Sequence, residues 1–119
     1  MSLRILIVDD ALIDRQHLEH ILVAAGHRVL LAESGEQALV RARDDRPDVI
    51  LMDVNMPDLD GFATTRRLKA DAATRDIPVV LVTSKDQKAD KAWGQMLGAK
   101  GYVTKPYTDD QVLSQLRAL

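Results

Sequence analysis

Five polar residues in this chain stand at the ends of short apolar runs, and together they suit phosphoryl chemistry. Asp9 and Asp10 follow "LRILIV", Asp53 follows "VILM", Thr83 follows "VVLV" and Lys105 follows "GYVT". Asp53 is the most informative. Val49 to Met52 read as a strand buried on both faces, so a carboxylate at its end is costly unless a cation compensates it or a ligand reaches it. If the ends of the first and third strands are neighbours, Asp9, Asp10 and Asp53 share a small volume, and each like-charge pair repels by roughly 4 kcal/mol at intermediate dielectric. A cation or a raised pKa must relieve that repulsion. An oxygen-rich set free of thiolate and imidazole suits Mg²⁺, with Mn²⁺ as a substitute, held by one or two carboxylates, waters and a phosphate. Lys105 adds a cation that cannot coordinate a metal, and Thr83 adds a hydroxyl donor. Metal, ammonium and hydroxyl facing one carboxylate make a receptacle for a phosphoryl group, with Asp53 as the nucleophile of an acyl-phosphate scheme. Singly, each residue has a plain structural use, as helix cap, turn, β-former or solvated surface. Their arrival at four strand ends is what favours the chemistry.

The elements that must position these residues alternate. Apolar runs at 3–8, 28–32, 49–52, 79–82 and 101–104 read as strands. Between them lie stretches with helical spacing. Leu18, Ile21, Leu22 and Ala25 precede a stop at Gly26. Ser34 and Gln37 form a capping-box pattern ahead of Ala38, Leu39 and Ala42, with Pro47 beyond the end. A third helix spans Asp60 to Asp71, with a weak apolar stripe and Gly61 awkward inside it. Ala89, Ala92, Trp93, Met96 and Leu97 mark the fourth, stopped by Gly98. Thr108 caps the fifth, with Val112, Leu113 and Leu116 inward. Strict alternation with nearly continuous apolar strands implies an α/β domain, a doubly wound parallel sheet of five strands covered by five helices. Such sheets bind ligands beyond the carboxyl ends of their strands, where strand order reverses.

Composition narrows the classes. The 119 residues fit one domain that buries roughly two thirds of its unfolded surface. With 16 basic and 18 acidic side chains the net charge is −2, which gives no bulk attraction to nucleic acid or membrane. Cysteine is absent, which excludes disulfides and thiolate metal sites and suits a reducing cytoplasm. The apolar run before Asp9 is too short for a signal peptide or a membrane span. His17 and His20 lack acidic or thiol partners at ligand spacing and read as surface; Arg66, Arg67 and Lys69 read as a solvated basic face.

With these residues in place, the chain resembles the receiver domain of two-component response regulators, a CheY-like domain. The matching stretches are "ILIVDD", "LMDVNMPDLDG", "LVTS" and "YVTKP", in order and at family spacing along the whole chain. The resemblance implies the flavodoxin-like strand order 2-1-3-4-5. It implies that a histidine kinase or phosphotransfer domain supplies the phosphoryl group and that Asp53 accepts it in a reaction the receiver catalyses. Mg²⁺ would be held by Asp10, Asp53 and the main-chain carbonyl of Asn55, with Asp9 acting through water. Lys105 would pair with the acceptor, ahead of a cis bond to Pro106. Thr83 and Tyr102 would be the switch pair, changing the surface of helix 4, strand 5 and helix 5 for a downstream output protein. The whole of 1–119 would be a single receiver domain without an effector, a monomer or weak dimer.

Some positions depart from the family pattern. Ser84 stands where Ala or Gly is common, Asp58 where Gly is frequent, and Asn55 and Lys85 occupy variable positions that influence dephosphorylation. "TSKDQKADKAWGQMLGAKGYVTKPY" is similar to stand-alone receivers of type IV pilus, twitching-motility chemosensory systems. Trp93, its most distinctive residue, has two readings, core residue in the helix 4 stripe or partner-binding anchor. A competing function, a metal-dependent phosphatase or phosphotransferase with an Asp nucleophile, wants an acid two residues beyond the nucleophile, where Asn55 stands. A flavin-binding domain wants a Gly- and hydroxyl-rich loop after strand 1, where "DDALID" is acidic.

Overall fold

The computed structural model describes residues 2–119. The order is β1 (Arg4–Val8), α1 (Leu12–Ala24), β2 (Arg28–Ala32), α2 (Gly35–Asp45), β3 (Val49–Met52), α3 (Gly61–Ala70), β4 (Val79–Thr83), α4 (Lys88–Met96), β5 (Gly101–Thr104) and α5 (Asp109–Arg117). All strand pairs are parallel and the sheet runs β2-β1-β3-β4-β5, as the resemblance implies. Leu3, expected in the first strand, lies just outside it, although its amide donates to His27 Nδ1 at 3.1 Å and its carbonyl accepts the Arg28 amide.

Alternation along the central strands divides the core in two. Leu6, Val8, Ile50, Met52, Val79 and Leu81 face Ala38 and Ala42 of α2 and Leu68 of α3. Ile5, Ile7, Val49, Leu51, Val80 and Val82 face Leu18 and Leu22 of α1 and Val112 and Leu116 of α5. Strands covered on both faces therefore read as unbroken apolar runs, as parallel sheets require. The edge strand β2 keeps only Ala32 fully buried.

Helix ends follow local chemistry. Gly26, at φ 91°, closes α1: its amide donates to the Val23 carbonyl, and the His27 amide donates to Leu22, a Schellman pattern. Ser34 accepts the Gln37 amide as expected, but the Gln37 side chain accepts from Glu33 rather than from Ser34, so the box is displaced by one residue. The reciprocal box forms at α5, between Thr108 and Gln111. Gly61 opens α3, capped by Asp60, and is not interior to the helix. A Cβ there would strike the Asp53 carbonyl and lie 2.7 Å from Val54 Cα, so glycine permits α3 to start against the end of β3.

The expected orientation of α4 is reversed. Ala89, Ala92, Trp93 and Met96 are exposed, Trp93 at 39% and Met96 at 77%; the helix's one fully buried residue is Gly94. A Cβ on Gly94 would come within 2.7 Å of Leu81 Cδ1, so the helix meets the sheet through its glycine and turns its apolar stripe outward. Trp93 is thus not a core residue. Its ring lies under the Arg66 guanidinium, 5.7 Å from the ring centroid, so Arg66 is not simply solvated. Lys69 departs too, donating to the carbonyls of Ile77 at 2.8 Å and Arg75 at 3.1 Å.

Candidate functional site

The parallel register brings the polar strand ends to one edge. Val8 pairs with Met52 and Thr83 with Thr104, so the residues that follow are the first to leave the ladder. Their amides stay tied to it: Asp9 N–H donates to the Ala32 carbonyl at 3.2 Å, Asp53 N–H to Val8 at 2.9 Å and Lys105 N–H to Thr83 at 2.9 Å. The strand ends therefore anchor Asp9, Asp53 and Lys105 directly, while Asp10 lies one residue further out.

Asp9, Asp10 and Asp53 each offer a carboxylate oxygen, all within 4.8 Å of one another. They differ in freedom. Asp9 is buried and committed, its Oδ1 accepting the Ala11 amide at 2.9 Å and its Oδ2 the Lys105 ammonium at 2.8 Å. Asp10 is exposed, and Asp53 is only 6% exposed. Burial pushes the Asp53 carboxyl up to about 6; the Lys105 charge opposes this, Asp9 adds to it, and the Asn55 and Val54 amides oppose it. An all-oxygen trio of carboxylates, one exposed and one with a raised pKa, fits a hard divalent cation.

Lys105 precedes Pro106 across a cis peptide bond. Its Nζ sits 2.8 Å from Asp9 Oδ2, 3.0 Å from Asp14 Oδ2 and 3.8 Å from Asp53 Oδ1. Burial alone would lower the ammonium's pKa, but the hydrogen bonds to Asp9 and Asp14 and the Asp53 charge outweigh it and hold the group above its ordinary range. Asp14 escaped the sequence reading. Its only signal was an acid in the first turn of α1, close in sequence to Asp9 and Asp10. Arg15 escaped as well, a buried arginine donating to the Asp9 carbonyl at 2.8 Å and reaching Glu33 at 3.4 Å. It shares the buried stripe of Leu18 and Leu22 at helical spacing.

Thr83 is fully buried at the end of β4, and its Oγ1 accepts the Lys85 amide at 3.3 Å. The half-buried Tyr102 donates its hydroxyl to the Lys85 carbonyl at 2.6 Å. Burial, then the charges of Asp90 and Asp86, raise that phenol to about 12. Asn55 is exposed and donates to Ser84 Oγ at 3.3 Å, bridging the loops that leave β3 and β4. Asp58 has φ 67°, the left-handed conformation that explains why glycine suits this position. His17 stacks on Tyr107, centroids 5.3 Å apart and rings 9° from parallel, and His20 is exposed.

Residues 5–117 match the response regulator receiver domain family. The chain belongs to that family. It is 47% identical over 116 residues to protein PilH of Pseudomonas aeruginosa, covering 98% of this chain and 96% of that protein. Its fold is similar to Vibrio cholerae chemotaxis protein CheY4, with a TM-score of 0.92 and 32% identity over 99% of this chain and 98% of that one. The receiver domain of a sensor histidine kinase from P. aeruginosa, which carries a magnesium ion coordinated in its active-site cleft, superposes with a TM-score of 0.90 and 30% identity over 99% and 97% of the two chains. This receiver domain is therefore a response regulator module of two-component signalling, and the phosphatase reading is not favoured. Among the described residues no helix is long and apolar enough to cross a membrane.

Proposed function

We propose that Asp53 of this receiver domain accepts a phosphoryl group from the phosphohistidine of a histidine kinase or phosphotransfer domain. An Asp53 carboxylate oxygen forms the new O–P bond while the P–N bond to the donor imidazole breaks, its electron pair returning to the imidazole nitrogen. One observation carries this reading: Asp53 is nearly buried, short of counter-charge at 3.8 Å from Lys105, and clustered with Asp9 and Asp10. Asp10, Asp53 and the Asn55 carbonyl would hold Mg²⁺, with Mn²⁺ able to substitute. Asp9, whose oxygens already serve Ala11 and Lys105, would act on it through water. Bound there, the cation would neutralise charge on the transferring group. Lys105 receives a phosphoryl oxygen, and the Thr83 hydroxyl donates to another.

Output runs through the α4-β5-α5 surface. Thr83 and Tyr102 meet at Lys85 beside α4, whose exposed apolar stripe suits a protein partner. We assign the protein to cytoplasmic, motility-linked signalling as a monomer or weak dimer, without contact to nucleic acid; the similarity to the Vibrio cholerae chemotaxis protein CheY4 supports the motility link. The test is incubation with Mg²⁺ and phosphoramidate followed by intact mass. The wild type should gain ~80 Da, the mass of the group whose added charge drives such switches, and Asp53→Asn should not. An adduct of equal yield in the variant would overturn the assignment.

A further inference from the structure

Lys105 touches a carboxylate that has no part in the proposed phosphoryl transfer. Asp14 Oδ2 lies 3.0 Å from its Nζ, closer than Asp53 Oδ1 at 3.8 Å, and among the described residues Lys105 is the only hydrogen-bond partner of the Asp14 side chain. The two lysine partners that compete with Asp53 are unlike. Asp9 is buried and pinned by the Ala11 amide, whereas the Asp14 side chain is 45% exposed and can release the ammonium to water at little cost. The His17–Tyr107 stack joins α1 to the segment just past Pro106, which keeps Asp14 and Lys105 in register.

We propose that Asp14 is a positioning residue: it holds the Lys105 ammonium on the α1 side of the acidic cluster while Asp53 is unmodified, and its grip sets how readily the ammonium moves to an incoming phosphoryl group. The inference rests on Asp53 as the acceptor. A phosphoryl group carries more negative charge than one carboxylate, so it draws Lys105 away from Asp14 and not from the buried Asp9. Loss of the Asp14 charge then acts in opposite directions on the two ligands. A cation loses an attractive charge, while an anionic donor loses a repulsive one and meets a less restrained ammonium.

The test compares wild type, Asp14→Asn, Asp14→Glu and Asp109→Asn, the last removing an equal charge from an exposed site on α5. Mg²⁺ affinity is measured calorimetrically on unphosphorylated protein, and the second-order rate of phosphoramidate labelling is measured by intact mass at saturating Mg²⁺. For Asp14→Asn the Mg²⁺ Kd should rise about two- to fivefold while the labelling rate rises about two- to fivefold, the span of an exposed ion pair. Asp14→Glu should move less than Asp14→Asn in both, and Asp109→Asn should stay near wild type. A labelling rate that falls together with Mg²⁺ affinity, or shifts in Asp14→Asn no larger than in Asp109→Asn, would overturn the positioning role with the Asp53 assignment intact. No adduct on the wild type would overturn both.

Discussion

Thr83 and Tyr102 grip opposite ends of one residue: Thr83 Oγ1 accepts the Lys85 N–H at 3.3 Å, and the Tyr102 hydroxyl donates to the Lys85 carbonyl at 2.6 Å. A hydroxyl can accept this amide and donate to a phosphoryl oxygen at once. A pull on Thr83 should then pass through Lys85 to the tyrosine beside α4. Thr83→Ala should keep the Asp53 adduct yet lose at least about half of the conformational response, because the differential contact that biases the two packings is gone. The sole tryptophan, Trp93 on α4, provides the readout by fluorescence before and after phosphorylation. A full-sized change in the variant would sink this coupling.

Asp53 makes stability fall with rising pH. Its carboxyl stands at about 6 in the fold against 3.8 as its ordinary value, so between these values the native state binds more protons than the unfolded chain. Stability associated with the protonated acid is present below 3.8 and is lost as pH rises through about 6. Metal-free Asp53→Asn should therefore be more stable than wild type by about 1 to 3 kcal/mol at neutral pH, with the gain vanishing toward pH 4. Urea titrations at several pH values measure it; a gain independent of pH would contradict the cause.

Magnesium should restore what the ionised cluster costs. At a hundred times its Kd, the ion should stabilise the fold by about 2.7 kcal/mol, and EDTA should reverse the effect. Thermal melts should show this gain shrinking as pH drops below about 6, where protons compete for Asp53. Asp10→Asn should abolish most of it, since Asp10 is the exposed, uncommitted member of the trio.

Arg46 ends α2 at φ 46°, a left-handed conformation that glycine adopts freely. Its side chain is exposed and makes no hydrogen bond among the described residues. Arg46→Gly should stabilise the protein by up to about 1 kcal/mol without altering Asp53 labelling. Chemical denaturation together with the mass assay would show whether the two separate.

Gly61→Ala should do the reverse. The new methyl would meet main chain at Asp53 and Val54, which cannot swing aside as a side chain would. A loss of roughly 2 kcal/mol or more is expected, as for overpacked positions, together with slower labelling of Asp53. Wild-type stability in this variant would show that α3 can shift away from the end of β3.

The strand ends were legible because parallel sheets expose a simple rule: an apolar run stops where the backbone leaves the ladder, and the next polar residue faces the edge. Asp9 and Asp53 obey it, Thr83 is the last residue of its own ladder, and Lys105 follows the paired Thr104. The strand order came from family resemblance, because periodicity assigns strands without ordering them. Asp14 was obscured by lying inside a helix, where its meaning depends on how α1 is rotated over the sheet. Trp93 was misleading for a related reason. The stripe at Ala89, Trp93 and Met96 has the right spacing for a buried face, but spacing states which residues share a face and not where that face points. Gly94, the residue that settles the rotation, carries no hydrophobic signal of its own.

The seating of α4 on Gly94 also has a kinetic meaning. A helix whose apolar side chains already face solvent forfeits little burial when it lifts or slides, so its backbone amides should exchange with solvent through local openings far less costly than global unfolding. The rest of the sheet stays closed meanwhile, its central strands sealed on both faces. The molecule thus separates a stiff chassis, which keeps Asp53 in place, from one lightly seated helix.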